Sequence, residues 1–381
     1  MMAAADRPTI TTPVEAPEFT AVRSQEQLDW PALEAHLRAE ISEIGPAAMD
    51  VMQFPNGAAN LTYLLRFGPL ELVMRRPPFG IIAPGAHDMK REFKVLSRLW
   101  RHFPLAPRAY LLCTDHEIIG ADFFVMERRT GEVMRNVIPT SMRHHMNAGH
   151  RMGCALVDAM ADMHLLDYEA CELTDLGKPE GFNARQVTGW TKRWDLARPE
   201  GGLPRMDAIS ARLIESVPAM TRSSIVHNDL KLDNCQFDPS DPDHVKSIFD
   251  WDMTTLGDPL IDLGTLVQYW PDPPARPVEG AGSPTAPNAD AAAFATYPGL
   301  ADIGLPSKRE VADRYAARTG TDISALPWWT AFAYWKTAVV VQQLYNRFAR
   351  GETLDTRFAT YGDRVDFLAQ QAERVLDGQG L

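Results

Sequence analysis

The chain has 381 residues, 45% of them hydrophobic, with 9 Trp and 16 Phe, enough apolar volume for a large core and too much for wholesale disorder. Lys and Arg total 38 against 50 Asp and Glu, and the net charge of -12 argues against a nucleic-acid binder or a basic membrane-surface protein. At this length one two-lobed unit is a better expectation than two independent domains.

Residues 1–24, rich in Pro, Thr, Ala and charge, read as a flexible arm, and Asp6 and Arg7 stand where a signal peptide needs an apolar core. Residues 25–43 place Leu28, Trp30, Leu33, Leu37 and Ile41 at helical spacing behind the start signal Asp29-Trp30-Pro31, which predicts a helix packed on the small lobe. Residues 52–74 read as strand, loop, strand, strand. The loop holds Asn56, Gly57, Ala58, Ala59 and Asn60, small residues that let a hairpin close over phosphates and offer them N–H groups, although a turn of this kind can be only a turn. Residues 88–100 form an amphipathic helix with Phe93, Leu96, Leu99 and Trp100 on its apolar face.

Phe123-Phe124-Val125-Met126 is a short apolar strand with a polar exit over 127–131. Residues 147–167 carry Met152, Leu156, Met160 and Met163 on one helical face, a stripe that reads as core. Residues 188–194 mix aromatic and basic groups and fit either the wall of an acceptor site or an amphipathic helix. The Pro- and Ala-rich insertion 271–298 predicts a long loop. Helices are expected over 306–320 and 327–350, with Trp328, Phe332, Trp335, Val339, Gln343 and Phe348 as a buried seam, and over 355–376. The apolar run 331–344 carries Lys336, Gln342 and Gln343 and is no membrane span. Cys113, Cys154, Cys171 and Cys235 show no metal-ligand spacing and read as reduced thiols, so the expected location is cytoplasmic.

The chemistry concentrates in residues 225–264, IVHNDLKLDNCQFDPSDPDHVKSIFDWDMTTLGDPLIDLG. Asp229 follows His227 by two positions, Asn234 follows Asp229 after four intervening residues, and Asp250 ends the apolar run Ser247-Ile248-Phe249. Phosphoryl transfer needs a divalent cation across the phosphates and a carboxylate that orients the attacking hydroxyl. Magnesium keeps several waters, so one carboxylate and one amide oxygen suffice from the protein. Asp250 and Asn234 fit those two roles, and Asp229 is then left to take the hydroxyl proton.

His-Asn-Asp-Leu-Lys-Leu-Asp-Asn, then Phe-Asp-Trp and Gly-Asp-Pro-Leu-Ile-Asp-Leu, resembles the catalytic and metal segments of the aminoglycoside phosphotransferase and choline kinase superfamily. The resemblance implies an α+β, bilobal protein-kinase-like fold, with a small N-lobe built on an antiparallel sheet (25–126), a hinge (127–131) and a larger, mostly helical C-lobe (132–381). It implies ATP and Mg2+ as cofactors and a small-molecule hydroxyl acceptor as partner. His227 would pin the catalytic loop, and Asp258 and Asp262 would brace it. His164 matches a structural position of a long helix, and backbone groups near Glu127 and Arg128 would meet adenine.

Arg75 takes the place of the strand lysine that clamps phosphate, with Glu92, 17 residues on, as its partner; a surface ion pair is the other reading. Arg75 is preferred to Arg76 as the continuation of the Leu72, Met74 alternation. Val73 to Gly80 and Ala86 to Met89 look like the subgroup related to the kinase-like domain associated with acyl-CoA dehydrogenases. That points to a hydroxyacyl acceptor such as a hydroxyacyl-CoA. Aminoglycosides and choline-like amino alcohols are the alternatives within the superfamily, and a catalytically silent nucleotide-binding regulator is the alternative of another class.

Overall fold

The computed structural model describes residues 18–55, 60–79, 88–135, 137–271, 303–353 and 356–379; of Thr356 and Arg357 it describes the backbone alone. The chain divides into two units, Met1–Met89 with Ala109–Arg128, and Lys90–Arg108 with Arg129–Leu381.

The smaller unit is a five-stranded antiparallel sheet, β1 (Met49–Gln53), β2 (Leu61–Phe67), β3 (Leu70–Arg76), β4 (Ala109–Cys113) and β5 (Phe123–Glu127), in the order β1-β2-β3-β5-β4. Helix α1 (Trp30–Glu40) starts where Asp29 accepts a hydrogen bond from the Ala32 N–H at 3.0 Å and Pro31 occupies the first turn. Its Leu33 and Leu37 pack with Tyr63, Leu65, Phe67, Leu72, Met74, Phe123 and Val125. Successive strand residues face opposite sides of a sheet, so Arg76 shares the core-side face of Leu72 and Met74, while Arg75 lies with Val73 on the other. The alternation used to prefer Arg75 therefore has the wrong parity.

Residues 18–24 depart from the expected arm. β1 is a sheet edge with unpaired backbone groups, and Thr20 and Gln53 exchange both N–H···O bonds there at 2.8 Å. Strand β4 and the short helix α3 (His116–Ile119) were not expected; only Ala109 and Cys113 of β4 are fully buried, which gives it no clear alternation.

The larger unit holds helices α2 (Met89–Leu99, from Lys90 onward), α4 (Ala148–Leu165), α5 (Phe182–Ala197), α6 (Pro204–Glu215), α7 (Leu260–Tyr269), α8 (Lys308–Thr319), α9 (Leu326–Ala349) and α10 (Tyr361–Leu376), and two short ribbons. These are β6 (Ser224–Val226) with β9 (Thr255–Gly257), and β7 (Cys235–Asp238) with β8 (Asp241–Ile248). Met152, Leu156, Met160 and Met163 are fully buried, as the stripe required. The α9 seam is buried from Trp328 through Val339 and ends before Gln343 and Phe348, which are half-buried. Gly264 on α7 lets α9 approach closely: a Cβ there would lie 2.7 Å from the Trp329 backbone. The insertion 271–298 lies outside the described residues from 272 onward.

Helix α2 is tied into this unit by one polar face. Arg91 donates to the Thr254 carbonyl at 3.0 Å, Lys94 and Arg98 pair with Asp175 at 3.0 and 2.9 Å, and Arg98 also reaches the Glu172 carbonyl. Just past β5 the chain docks on β7, where Glu132 and Phe237 exchange backbone hydrogen bonds at 2.9 and 2.8 Å. Gly131 is required at that approach, because a Cβ would sit 2.7 Å from the Phe237 carbonyl oxygen. Gly131→Ala is expected to cost about 1–3 kcal/mol, read as a lower urea midpoint at unchanged slope.

Candidate active site

The catalytic-segment loop leaves β6 at Val226, and its first residues are fixed from beneath by one carboxylate. Asp262, fully buried on the first turn of α7, accepts from the His227 N–H at 2.7 Å and the Asn228 N–H at 2.6 Å. His164 Nε2 lies 3.1 Å from the same carboxylate, and His164 Nδ1 bonds the Tyr315 hydroxyl at 2.8 Å. Burial alone raises the Asp262 pKa, but the hydrogen bond and charge of His164 and the His227 contacts outweigh it and hold the carboxyl below its ordinary 3.8. Asp258 is committed to a neighbouring junction, bonding the Asn183 amide at 3.1 Å and the Thr221 hydroxyl at 2.9 Å.

His227 then joins this loop to the segment after β8, with Nε2 2.8 Å from the Phe249 carbonyl. Asn228 adds a second tie, its amide donating to the Met253 carbonyl at 2.9 Å. Both Asn228 and Asp250 hold left-handed backbone conformations with φ of 67°, which cost energy in a non-glycine residue and are least costly for Asn and Asp.

The β7–β8 hairpin brings the cation-binding candidates to one end. Cys235 pairs with Ile248, so Asn234, one residue before β7, faces Phe249, whose N–H donates to the Asn234 carbonyl at 2.9 Å. Asp250 is the next residue. The Asn234 side-chain amine donates to the Asp229 carbonyl at 2.8 Å and to Asp229 Oδ2 at 3.1 Å. That commitment leaves Asn234 Oδ1 as the oxygen to offer a cation. Lys231 Nζ also donates to Asp229 Oδ2, at 2.7 Å, so Asp229 Oδ1 is the oxygen of that carboxylate left for a substrate. The Asp229 side chain is 23% exposed, and therefore reachable.

Among the described residues no group of three or more His, Cys, Asp or Glu is arranged to hold a metal. A hard-oxygen pair from Asn234 and Asp250 fits magnesium, which prefers oxygen and retains waters.

The remaining sequence-predicted residues lie elsewhere. Asn56, Gly57, Ala58 and Ala59 fall outside the described residues; Asn60, at the head of β2, is 2% exposed and neither polar atom of its amide has a hydrogen-bond partner among the described residues. Arg75 is buried on β3 in the smaller unit, and Glu92 is buried on α2 in the larger. Arg76 is occupied locally, bonding the Pro77 carbonyl at 3.1 Å and lying 4.1 Å from the Phe79 ring. Glu127 pairs with Leu72 at the end of β5, and the Arg128 guanidinium rests against Glu18, Phe19 and Phe54. Sequence reasoning gave no role to Asn228 and Lys231, although both stand inside the motif that held Asp229, and none to Lys336 beyond its charge in the run 331–344.

A five-stranded antiparallel sheet followed by a mostly helical unit, with this loop and hairpin in the latter, defines a protein-kinase-like phosphotransferase fold. The chain belongs to the phosphotransferase enzyme family (APH), whose sequence profile matches residues 50–297. Acyl-CoA dehydrogenase family member 11 of Homo sapiens is 30% identical over 364 residues, covering 93% of this chain and 44% of that protein. The chain thus spans less than half the length of that relative. A candidate aminoglycoside phosphotransferase of Ralstonia eutropha JMP134 superposes with a TM-score of 0.73 at 28% identity, over 93% of this chain and 100% of the other. Choline kinase of Cryptosporidium parvum Iowa II shares the fold at a TM-score of 0.59 and 12% identity, over 92% and 97%. No helix among the described residues is long and apolar enough to cross a membrane.

Proposed function

We propose that the chain transfers the γ-phosphate of ATP, with Mg2+, to a hydroxyl of a small molecule, and that the acceptor is a hydroxyacyl compound such as a hydroxyacyl-CoA. The observation that carries this reading is the shared commitment of Asp229 Oδ2 to Lys231 and Asn234, which leaves Oδ1 of a partly exposed carboxylate for an acceptor hydroxyl. Asp229 Oδ1 accepts the acceptor's hydroxyl proton as that oxygen attacks phosphorus. The new O–P bond forms as the bond from γ-phosphorus to the departing ADP oxygen breaks, and the proton leaves to solvent.

Asn234 Oδ1 and Asp250 would hold Mg2+, which when bound neutralises phosphate charge. His227 keeps the loop and the Asp250 segment in register through the Phe249 carbonyl. Arg75, with Glu92 as its positioning partner, is assigned to the phosphates, and Asn60 and the turn before it to their cover. Adenine is assigned to the backbone near Glu127 and Arg128. The likeness to proteins carrying an acyl-CoA dehydrogenase name supports the acyl acceptor, and the setting is taken as cytoplasmic.

Asp250→Asn tests the cation assignment. Wild-type protein is expected to gain several degrees of thermal stability with ATP plus Mg2+ and less with ATP plus EDTA, whereas the variant loses the Mg2+-dependent part. An equal Mg2+-dependent gain in both proteins would remove Asp250 from the site.

A further inference from the structure

Around Trp190 the larger unit holds two cations, Lys336 and Arg193, that pair with no carboxylate among the described residues. Lys336, on α9, makes no ion pair among the described residues; its ammonium reaches only the Asn228 carbonyl, at 3.5 Å, and lies 5.5 Å from the Trp190 ring. A hydrogen bond of that length is weak, and an ammonium has three donors to satisfy. Burial pushes the Lys336 pKa down, and Asp229 and Asp262 only partly offset it. Arg193, on α5, lies over the same indole, 4.3 Å from its centroid, and likewise has no carboxylate partner among the described residues.

The nearby carboxylates are already engaged, Asp229 by Lys231 and Asn234, and Asp262 by His164 and two backbone N–H groups. Two cations without a carboxylate partner among the described residues therefore flank Trp190, and one of them, Lys336, reaches the catalytic-segment loop at the Asn228 carbonyl. Residues 188–194, which the sequence left between acceptor wall and amphipathic helix, accommodate both readings: Trp190 and Trp194 are buried and Arg193 is exposed.

From this geometry we infer that Lys336 and Arg193 receive an anionic group of the acceptor, a carboxylate or a phosphate, and set the enzyme's preference against cationic acceptors. The inference rests on the kinase reading only for the word acceptor; the anion site stands on its own contacts. An anion supplies acceptors to an ammonium whose one hydrogen bond, to the Asn228 carbonyl, is long, and charge-assisted hydrogen bonds of this kind are the strong ones. An aminoglycoside or choline would meet like charge at the same place.

Calorimetric titration in the presence of Mg-ADP tests it, using 3-hydroxybutyrate, its methyl ester, 3-hydroxybutyryl-CoA, coenzyme A and kanamycin as probes. Wild type, Lys336→Gln, Lys336→Arg and Arg193→Gln are compared. At least one anionic probe is expected to bind wild type, to bind Lys336→Gln about tenfold or more weakly, to recover with Lys336→Arg, and to weaken less with Arg193→Gln; the methyl ester is expected to be indifferent to all three. Binding of 3-hydroxybutyrate identifies a carboxylate as the anion, and binding of coenzyme A alone identifies phosphate.

In turnover the same change should raise KM for the anionic acceptor and leave kcat within about threefold, a split that a residue merely positioning the Asn228 carbonyl would not give. The inference is overturned if no anionic probe binds, if Lys336→Gln binds every anionic probe as wild type does, or if kanamycin is the probe that binds. A chain that binds an anion through Lys336 but moves no phosphate from ATP keeps this inference and loses the kinase reading. A chain that phosphorylates an acceptor with Lys336→Gln indistinguishable from wild type does the reverse.

Discussion

Asp229→Asn is expected to lower kcat by about 10²–10⁴, the range that a positioned general base contributes, while leaving the fold intact. The substitution keeps the shape of the side chain and removes the charge proposed to take the hydroxyl proton. Its structural cost is small, because the pair lost with Lys231 is partly solvated, at 17% and 23% side-chain exposure, and such pairs are worth about 0–1 kcal/mol. ADP release in the presence of acceptor, measured beside a thermal melt, separates the two effects. Lys231→Ala is the internal control: it removes one of the two groups on Oδ2 but leaves Asn234, so its loss of kcat should be much the smaller.

The second large effect is on stability. Asp262→Ala removes the one carboxylate that serves two backbone N–H groups and His164 in a fully buried setting. Breaking a buried charged network by deleting one member costs about 3–5 kcal/mol. Chemical denaturation should show that loss near neutral pH, with kcat falling as well because the His227–Asn228 segment is no longer fixed.

The pH dependence has a definite sign. The folded Asp262 carboxyl titrates below its ordinary 3.8, so its contribution is fully present above that value and is lost as pH falls through the folded one. The stability gap between wild type and Asp262→Ala should therefore be flat from neutral down to about pH 5 and close under more acidic conditions. A gap that widens on acidification would contradict the ionised, histidine-paired carboxylate.

The family and fold were legible because the motifs that carry them stand at short spacing. Asp229, Asn234 and Asp250 stood within 22 positions of sequence, and a single hairpin suffices to assemble them, so no long-range fold had to be guessed. Helical periodicity likewise placed the methionine face of α4 and most of the α9 seam, since burial on one face writes a 3.6-residue pattern into the chain.

What escaped has no local signature. Strand β4 shows only its end residues buried; α6, by contrast, carried the legible spacing Met206, Ile209 and Leu213 behind Pro204 and was simply missed. Asp262 was read as a brace through the resemblance, but its actual partners, two backbone N–H groups 34 and 35 residues upstream and a histidine 98 upstream, are a tertiary fact. Lys336 sits in the apolar first half of α9, where a lone lysine reads as an interruption, and only the fold puts it beside Asn228. The alternation argument for Arg75 over Arg76 had the wrong parity, since period two puts Arg76 on the face of Leu72 and Met74 and Arg75 on the opposite one.

The most direct measurement is phosphorus NMR of a mixture of protein, ATP, Mg2+ and 3-hydroxybutyryl-CoA. The account predicts a new phosphate-monoester resonance on the acceptor growing in step with ADP, absent with EDTA and reduced at least a hundredfold in rate with Asp229→Asn. ADP accumulating only as free inorganic phosphate appears, or no turnover of ATP with hydroxyacyl, aminoglycoside or choline acceptors alike, would contradict it.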